Sequence, residues 1–572
     1  MGYGLMATAS LSEATTLIKR LCRQCSFALA RRVFDEMPER DVVAWTSMIS
    51  GYASNGLPRD AFSTFCCMVS SGVLPNRYTV SSVLTACRGL QSPSAGAAVH
   101  GIAVRRGISD GSYVENALLD LYASCGYIAD AELVFEEMTD RTVVSWTSMI
   151  TCYARSGNAR NGILLFKRMI HEIPESNAFP FSITIHASGS IGCIKLGRQL
   201  HALVVKAGHD SSLPVANSLL DMYSRCLILS EACQFFGEMP QKDLISWNAM
   251  IASLERSNSH EALLLFLEMG SQDLQPNNFT FCSVMAACAN LAILSTGQQV
   301  HACIIRRGYP EKLQVANAVI DMYAKCGTVA DSRKVFDELT TKDLVTWTSL
   351  LIGYGMNSCG NEAIKLFDEM TSSGFQPDFV LFLGIITACS HAGLVDHGLR
   401  YFSLMSSEYN VPPTKEVYGC VVDLLGRAGR VTEAHELIKT MSFEPDEKIW
   451  GALLGACQIH KNAELGRLAA QKILDMKPND TKTYISLSSI HAAGNAWEDF
   501  AEARRSLREK GYKKDVGISS IEVGNEIFSF VACDRSNPYV IFVFGVLEEL
   551  AQHMNQDKFE LDLMLHDFTD IR

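Results

Sequence analysis

The chain has 572 residues, 48% of them apolar and 20% charged, which excludes a disordered protein and exceeds the needs of one ordinary domain. Its net charge of −12 excludes a wholesale electrostatic grip on nucleic acid, but not a single strand held largely through its bases on a face of sorted charge. The strongest apolar run, Tyr539 to Leu547, is shorter than the roughly 20 apolar residues that cross a bilayer, so no membrane partner is expected. Nineteen cysteines lie in helical patterns without a secretory signal and read as reduced thiols, not as a disulfide framework.

In chain order, residues 1–10 read as a short leader without arginine, a poor transit peptide, and Leu11 already falls inside a repeat. VVAWTSMI at 42–49 then returns as VVSWTSMI at 143–150, LISWNAMI at 244–251 and LVTWTSLL at 344–351. His100, His201 and His301 keep the same interval of about a hundred residues, as do Tyr122, Tyr223 and Tyr323, and Cys125, Cys226 and Cys326. Each block divides into three parts; in the first they are 42–76, 77–111 and 112–142. Each part reads as two helices. In 42–76 the first carries Trp45, Met48, Ile49 and Tyr52 at helical spacing and stops at Asn55-Gly56. Pro58 opens the second, which carries Ala61, Phe62, Phe65 and Met68. A helix pair this short cannot bury its own apolar face. Stacked neighbours can, so the expected fold is all-α, an α-solenoid. The Trp, Tyr, His and Cys columns are then core packing, and the lone histidines are not a metal cluster.

NALLDLYASCG (116–126), NAVIDMYAKCG (317–327), RKVFDELTTKDLVTW (333–347) and CVVDLLGRAGRVTEAHELI (420–438), with three alternating repeat lengths in place of a uniform 34, resemble plant pentatricopeptide repeat proteins of the PLS subclass. That resemblance implies a right-handed α-solenoid superhelix over 11–446. It comprises an S repeat at 11–41 and P-L-S triplets at 42–142, 143–243, 244–343 and 344–446. It also implies E motifs over 447–517, in segments 449–480 and 483–517, and an extension over 518–572. The last stretch, 559–572, is similar to the lead-in to a DYW deaminase domain that does not follow.

In that family two residues per repeat read one RNA base, one near the start of the first helix and one at the repeat end. The resemblance places them here at Thr15 with Asp41, Thr46 with Asn76, Asn116 with Thr142, and Thr147 with Asn177. The remaining pairs are Asn217 with Asp243, Asn248 with Asn277, Asn317 with Asp343, and Thr348 with Asp378. Without the family these side chains read equally as helix caps and turn residues. Val43, Val144, Ile245 and Val345 are the implied base-sandwiching residues, with ordinary core contact as the rival reading. The family code implies the RNA G-A-n-Y-A-n-U-Y-n-U-G, with n at the L repeats, whose first reading places hold Ser81, Ser182, Cys282 and Leu383. The 244–277 repeat is one residue short, which puts the register of Asn277 in question.

E motifs imply C-to-U editing of organelle transcripts. Zinc cytidine deamination needs H-x-E and C-x-x-C. No histidine here has Glu two places on, and the lone C-x-x-C, Cys22 to Cys25, sits in the first repeat. The chain therefore reads as a non-enzymatic site-recognition factor without a metal or other cofactor. Its implied partners are single-stranded organellar RNA and a DYW-type deaminase or other editing factors recruited in trans through 447–572. The expected location is the mitochondrion, with the chloroplast as alternative. The competing readings are an RNA stabilisation or processing factor that edits nothing, and a tetratricopeptide-like protein-interaction scaffold.

Overall fold

A computed structural model describes residues 11–509 apart from 109–111, 174–176, 273, 310–311 and 495, with strands 518–523 and 526–531 and positions 542, 545, 546 and 549. The leader at 1–10 and the stretch 559–572 lie outside the described residues, as does almost all of the Tyr539–Leu547 run.

Thirty helices follow one another among the described residues. In the first block they pair as Val42–Ser54 with Pro58–Ser70, Arg77–Gly89 with Pro93–Arg105, and Ser112–Ser124 with Ile128–Glu137. Local chemistry sets these bounds. The Asp41 carboxylate accepts the Ala44 N–H and caps Val42–Ser54. Gly56, at φ +74°, turns the chain after it. Pro58 stands at the first position of the next helix, where its missing N–H costs nothing.

The chain divides into two compact units, Met1–Gln275 and Pro276–Arg572. Within the first, the helix Val42–Ser54 packs on Arg77–Gly89, and that on Ser112–Ser124. Within the second, Asn278–Leu291 packs on Leu313–Lys325, and that on Leu344–Met356. The first helices of successive pairs thus form one continuous layer in each unit. Their N-terminal ends succeed one another along it.

Aromatic side chains lock the stack at each triplet start. Trp45 meets Phe34 edge-on with centroids 4.8 Å apart, Trp146 meets Phe135 at 4.9 Å, Trp247 meets Phe236 at 5.0 Å, and Trp347 meets Phe336 at 4.8 Å. All four tryptophans are buried, as the core reading of their column expects. Such pairs add about 0.5–1.5 kcal/mol beyond area burial. The tyrosine column is buried too, and two histidines of the third column satisfy its hydroxyls: His201 Nδ1 lies 2.8 Å from Tyr223 Oη, and His301 Nδ1 3.0 Å from Tyr323 Oη. The cysteine column is half-buried, and no group of metal-ligating side chains occurs among the described residues.

The short 244–277 repeat loses its residue in the turn. Its helices Leu244–Ser257 and Ser259–Ser271 are separated by Asn258 alone, where Val42–Ser54 and Pro58–Ser70 are separated by three residues. The register downstream is therefore kept, and Asn277 caps Asn278–Leu291 as Asn76 caps Arg77–Gly89. Beyond the array come two further helix pairs, Glu447–Ile459 with Ala463–Met476 and Thr481–Ala493 with Trp497–Glu509. They are followed by an antiparallel hairpin of β1 (Ile518–Val523) and β2 (Glu526–Val531), with Ile518 opposite Val531. The hairpin is the one non-helical element among the described residues, and helical periodicity does not announce it.

Candidate nucleic-acid interface

Each expected repeat-end residue caps the next first helix. Asp41, Asn76, Thr142, Asn177, Asp243, Asn277, Asp343 and Asp378 all accept a backbone N–H from the first turn that follows them. Each cap uses one side-chain oxygen.

The structure brings several pairs together within a unit. Asn217 Nδ2 donates to Asp243 Oδ1 at 3.2 Å across 26 residues of sequence. Ser246 Oγ bridges the pair, 2.7 Å from both Asn217 Oδ1 and Asp243 Oδ1. Thr46 Oγ1 lies 2.6 Å from Thr79 Oγ1, whose single proton is shared between it and Asn76 Oδ1 at 3.0 Å. Asn317 hydrogen-bonds Asp343, whose Oδ1 also accepts from Thr346 Oγ1 at 2.7 Å. Burial pushes the Asp243 carboxyl up, but the Ser246 N–H and hydroxyl and the Asn217 amide outweigh it and hold the group below the usual carboxylate range. Asp343 is held down in the same way, against burial, by Thr346 and Asn317. Both are anions at neutral pH and act as acceptors only.

Other pairs are not bridged like this. Asn116 Oδ1 is buried without a partner among the described residues, and Thr142 turns its hydroxyl to Ser145 at 3.4 Å. Threonine is too short to repeat the contact that Asp243 makes. Thr15, Thr147 and Thr348 are buried to within 9% of full cover. Their hydroxyls, with that of Thr46, donate back to the carbonyls of Leu11, Val143, Leu344 and Val42 at 2.6–2.8 Å. Such a hydroxyl has spent its proton and offers a ligand only lone pairs. Asn248 and Asn277 fall in different units.

Val43, Val144, Ile245 and Val345 are 45%, 61%, 63% and 58% exposed, so none is a core residue. Each follows a cap by two places. Tyr78, Tyr113, Phe179 and Phe279 are also exposed, at the same kind of position in L and S repeats, and sequence reasoning missed them. The offset from the caps Asn76, Asn177 and Asn277 was the available signal. Rings this exposed offer a stacking surface that every base can use.

These side chains share grooves. One cavity of about 630 Å³ is lined by Lys19, Arg23, Val43, Thr46, Asn76 and Tyr78. A second, of about 470 Å³, is lined by Arg88, Arg155, Thr147 and Phe179 among others. The first groove joins an apolar wall, the pair Thr46 and Asn76 and two cations; the second has Phe179, Thr147 without Asn177, and Arg155, while its Arg88 is paired with Asp120. Local sorting of charge by face offsets the global sign.

Family profiles match this architecture. The PPR repeat matches at 14–42, 116–143, 144–172, 215–244, 315–344, 380–409 and 416–443, the PPR repeat family at 40–88 and 342–391, and the E motif at 460–522. The putative pentatricopeptide repeat-containing protein At1g56570 of Arabidopsis thaliana is 46% identical over 97% of this chain and 92% of its own length. The chloroplastic pentatricopeptide repeat-containing protein At1g11290 of the same plant is 36% identical over 94% of this chain, which spans 66% of that relative. Among solved structures, the pentatricopeptide repeat protein PPR10 from maize matches at TM-score 0.58 and 19% identity, over 89% of this chain and 80% of its own.

Proposed function

We propose, for a chain that belongs to the plant pentatricopeptide repeat family and carries the E motif of its PLS type, that it is a sequence-specific binder of single-stranded RNA and a site-recognition factor for C-to-U editing. The observation that carries the reading is the hydrogen-bonded polar pair at Asn217 and Asp243, repeated at Asn317 and Asp343, each followed by an exposed apolar side chain, Ile245 or Val345. PPR10 of maize has been solved in complex with an 18-nt psaJ RNA element.

The chemistry follows from base edges. Uracil offers N3–H and O4. An ionised Asp243 accepts the N–H, and the Asn217 amide is placed to donate to the carbonyl. Cytosine presents a bare N3 to the carboxylate and is rejected by two facing lone pairs. Adenine's N1 needs a donor, which an Asn cap supplies, and guanine's N1–H needs an acceptor, which an Asp cap supplies. Thus 46/76 and 147/177 read adenine, and 15/41 and 348/378 read guanine. The pairs 217/243 and 317/343 read uracil, and 116/142 reads a pyrimidine. Val43, Val144, Ile245 and Val345 press on the ring faces. Lys19, Arg23, Arg88 and Arg155 meet phosphates, so affinity falls with salt.

The deaminase is supplied in trans, docking through 447–572, and the chain itself does not catalyse. The organelle is the mitochondrion or the chloroplast; At1g11290 is named chloroplastic. The test has two arms. Binding of the RNA G-A-n-Y-A-n-U-Y-n-U-G is compared with a scrambled strand, and equal affinity rejects base reading. Organellar transcripts of a null mutant are sequenced for lost C-to-U conversion. Intact editing with altered transcript levels replaces editing by stabilisation or processing.

A further inference from the structure

Three places after a cap, the first helix carries a hydroxyl in some repeats and not in others. Thr79 follows Asn76, Ser246 follows Asp243 and Thr346 follows Asp343, whereas Ala44 follows Asp41, Pro180 follows Asn177 and Leu381 follows Asp378. Where present, the hydroxyl is buried and does two things. Its lone pair accepts the cap residue's own backbone N–H, at 3.3 Å from Asn76, 3.2 Å from Asp243 and 3.3 Å from Asp343. Its proton is thereby aimed at the cap side chain, at 3.0 Å to Asn76 Oδ1, 2.7 Å to Asp243 Oδ1 and 2.7 Å to Asp343 Oδ1. The same oxygens also accept the backbone N–H of the hydroxyl residue, at 2.9, 2.9 and 2.8 Å. At Asp343 two donors from one residue converge on one cap oxygen; at Asn76 and Asp243 the hydroxyl's one proton is shared with a second oxygen. Thr79 and Ser246 also reach back to the other helix, to Thr46 Oγ1 at 2.6 Å and Asn217 Oδ1 at 2.7 Å.

We infer that Thr79, Ser246 and Thr346 are positioning residues that set base selectivity by fixing which atom of the cap faces the RNA. This rests on the base-reading function proposed above. Two converging donors can be met only by an oxygen. An asparagine cap must then turn its Oδ1 inward and present Nδ2, a pure donor, which suits adenine N1. An aspartate cap spends Oδ1 inward and presents Oδ2, a pure acceptor, which suits the N3–H of uracil. In Asp243 that outer oxygen receives a long 3.5 Å approach from Asn217, and the Ile245 N–H also bears on the carboxyl. At Asp41, Asn177 and Asp378 the cap oxygen accepts one backbone N–H, at 2.8, 3.2 and 2.9 Å, and no hydroxyl three places on adds a second donor. The hydroxyl-bearing repeats are the discriminating ones, and 15/41, 147/177 and 348/378 are permissive although their reading residues look equally good.

The test measures affinities of the full chain for RNAs carrying each of the four bases opposite a chosen repeat. Ser246→Ala should lower the uracil-over-cytosine ratio at the base read by 217/243 by roughly three- to tenfold, one hydrogen bond's worth, and leave ratios at other positions unchanged. Ser246→Thr should retain the wild-type ratio. Ala44→Ser should raise the guanine preference at the base read by 15/41, a gain that damage to folding cannot produce. A uniform affinity loss on all RNAs with the ratios kept would make the hydroxyl merely structural and overturn the inference. Unchanged ratios in Ser246→Ala and Ala44→Ser, while Asn217→Ser flattens its own base, would also overturn it and leave base reading standing. A flat profile in wild type would end both.

Discussion

Trp146 stands edge-on against Phe135, with ring centroids 4.9 Å apart and planes crossed at 78°. The geometry recurs about every hundred residues, so the octapeptide repeated along the chain is first a packing device. The Trp146 indole N–H is buried without a partner among the described residues. Trp146→Phe keeps a ring and removes an orphan donor, and should cost less than about 1.5 kcal/mol. Trp146→Ala opens a cavity and should cost about 3–5 kcal/mol. Urea unfolding of the two variants checks the contrast, and equal losses would refute it.

Two glycines inside first helices should respond oppositely to alanine. A Cβ on Gly353 would stand 2.6 Å from Ala324 Cβ, and neither atom can rotate away. Overpacking of about 1–3 kcal/mol outweighs the roughly 1 kcal/mol helix-propensity gain, so Gly353→Ala destabilises. A Cβ on Gly455 meets nothing within 4 Å, so Gly455→Ala should stabilise by up to about 1 kcal/mol. Melting temperatures moving in the same direction would contradict this.

Acid should loosen the array before it touches the carboxylates. Burial lowers the pKa of His201 and of His301, although Glu238 and Glu231 pull the first upward and Glu338 the second. The unfolded chain therefore takes up protons first, near the ordinary value of about 6.5, and stability is lost as pH falls through and below it. The melting temperature should decline between about pH 7.5 and 5.5. The double variant His201→Gln, His301→Gln should flatten that decline, and an unaltered slope would assign it elsewhere. Asp243 and Asp343, whose pKa values are lowered, lose their contribution only further down, below about 3.9.

Val144 tests the groove independently of the fold. It is 61% exposed, so Val144→Ala should leave stability within about 0.5 kcal/mol while weakening RNA binding. A ring pressed on a smaller side chain loses contact area whatever the base, so the loss should be similar for all four. A stability loss matching the affinity loss would return Val144 to a structural role.

Thr142→Asp should turn a weak pyrimidine position into a uracil-selective one, because a carboxylate there could reach Asn116 as Asp243 reaches Asn217. Binding to RNAs with uracil or cytosine at that nucleotide reads the change. No gain would mean that Asn116 and residue 142 do not act as a pair.

Much of this was legible in one dimension. The period, the helix pairs and the caps depend on spacing and on local hydrogen bonding, which a few consecutive residues decide. Pro58 and Gly56 end and restart helices wherever the stack stands, and Trp146 recurs because each repeat must bury the same face. The expected reading places came from the family resemblance; by spacing alone those side chains read as caps and turn residues. What the linear pattern left open was decided by packing one first helix on the next. Only that contact brings Asn217 within reach of Asp243, seats Ser246 between them, and leaves Val43, Val144, Ile245 and Val345 uncovered where the sequence alone allowed a core. It also sets apart Thr147 and Thr348, nearly sealed, from Asn217, bridged. The direction of a side chain and the company of its oxygen depend on residues some thirty positions away, and those become neighbours only when the apolar faces close.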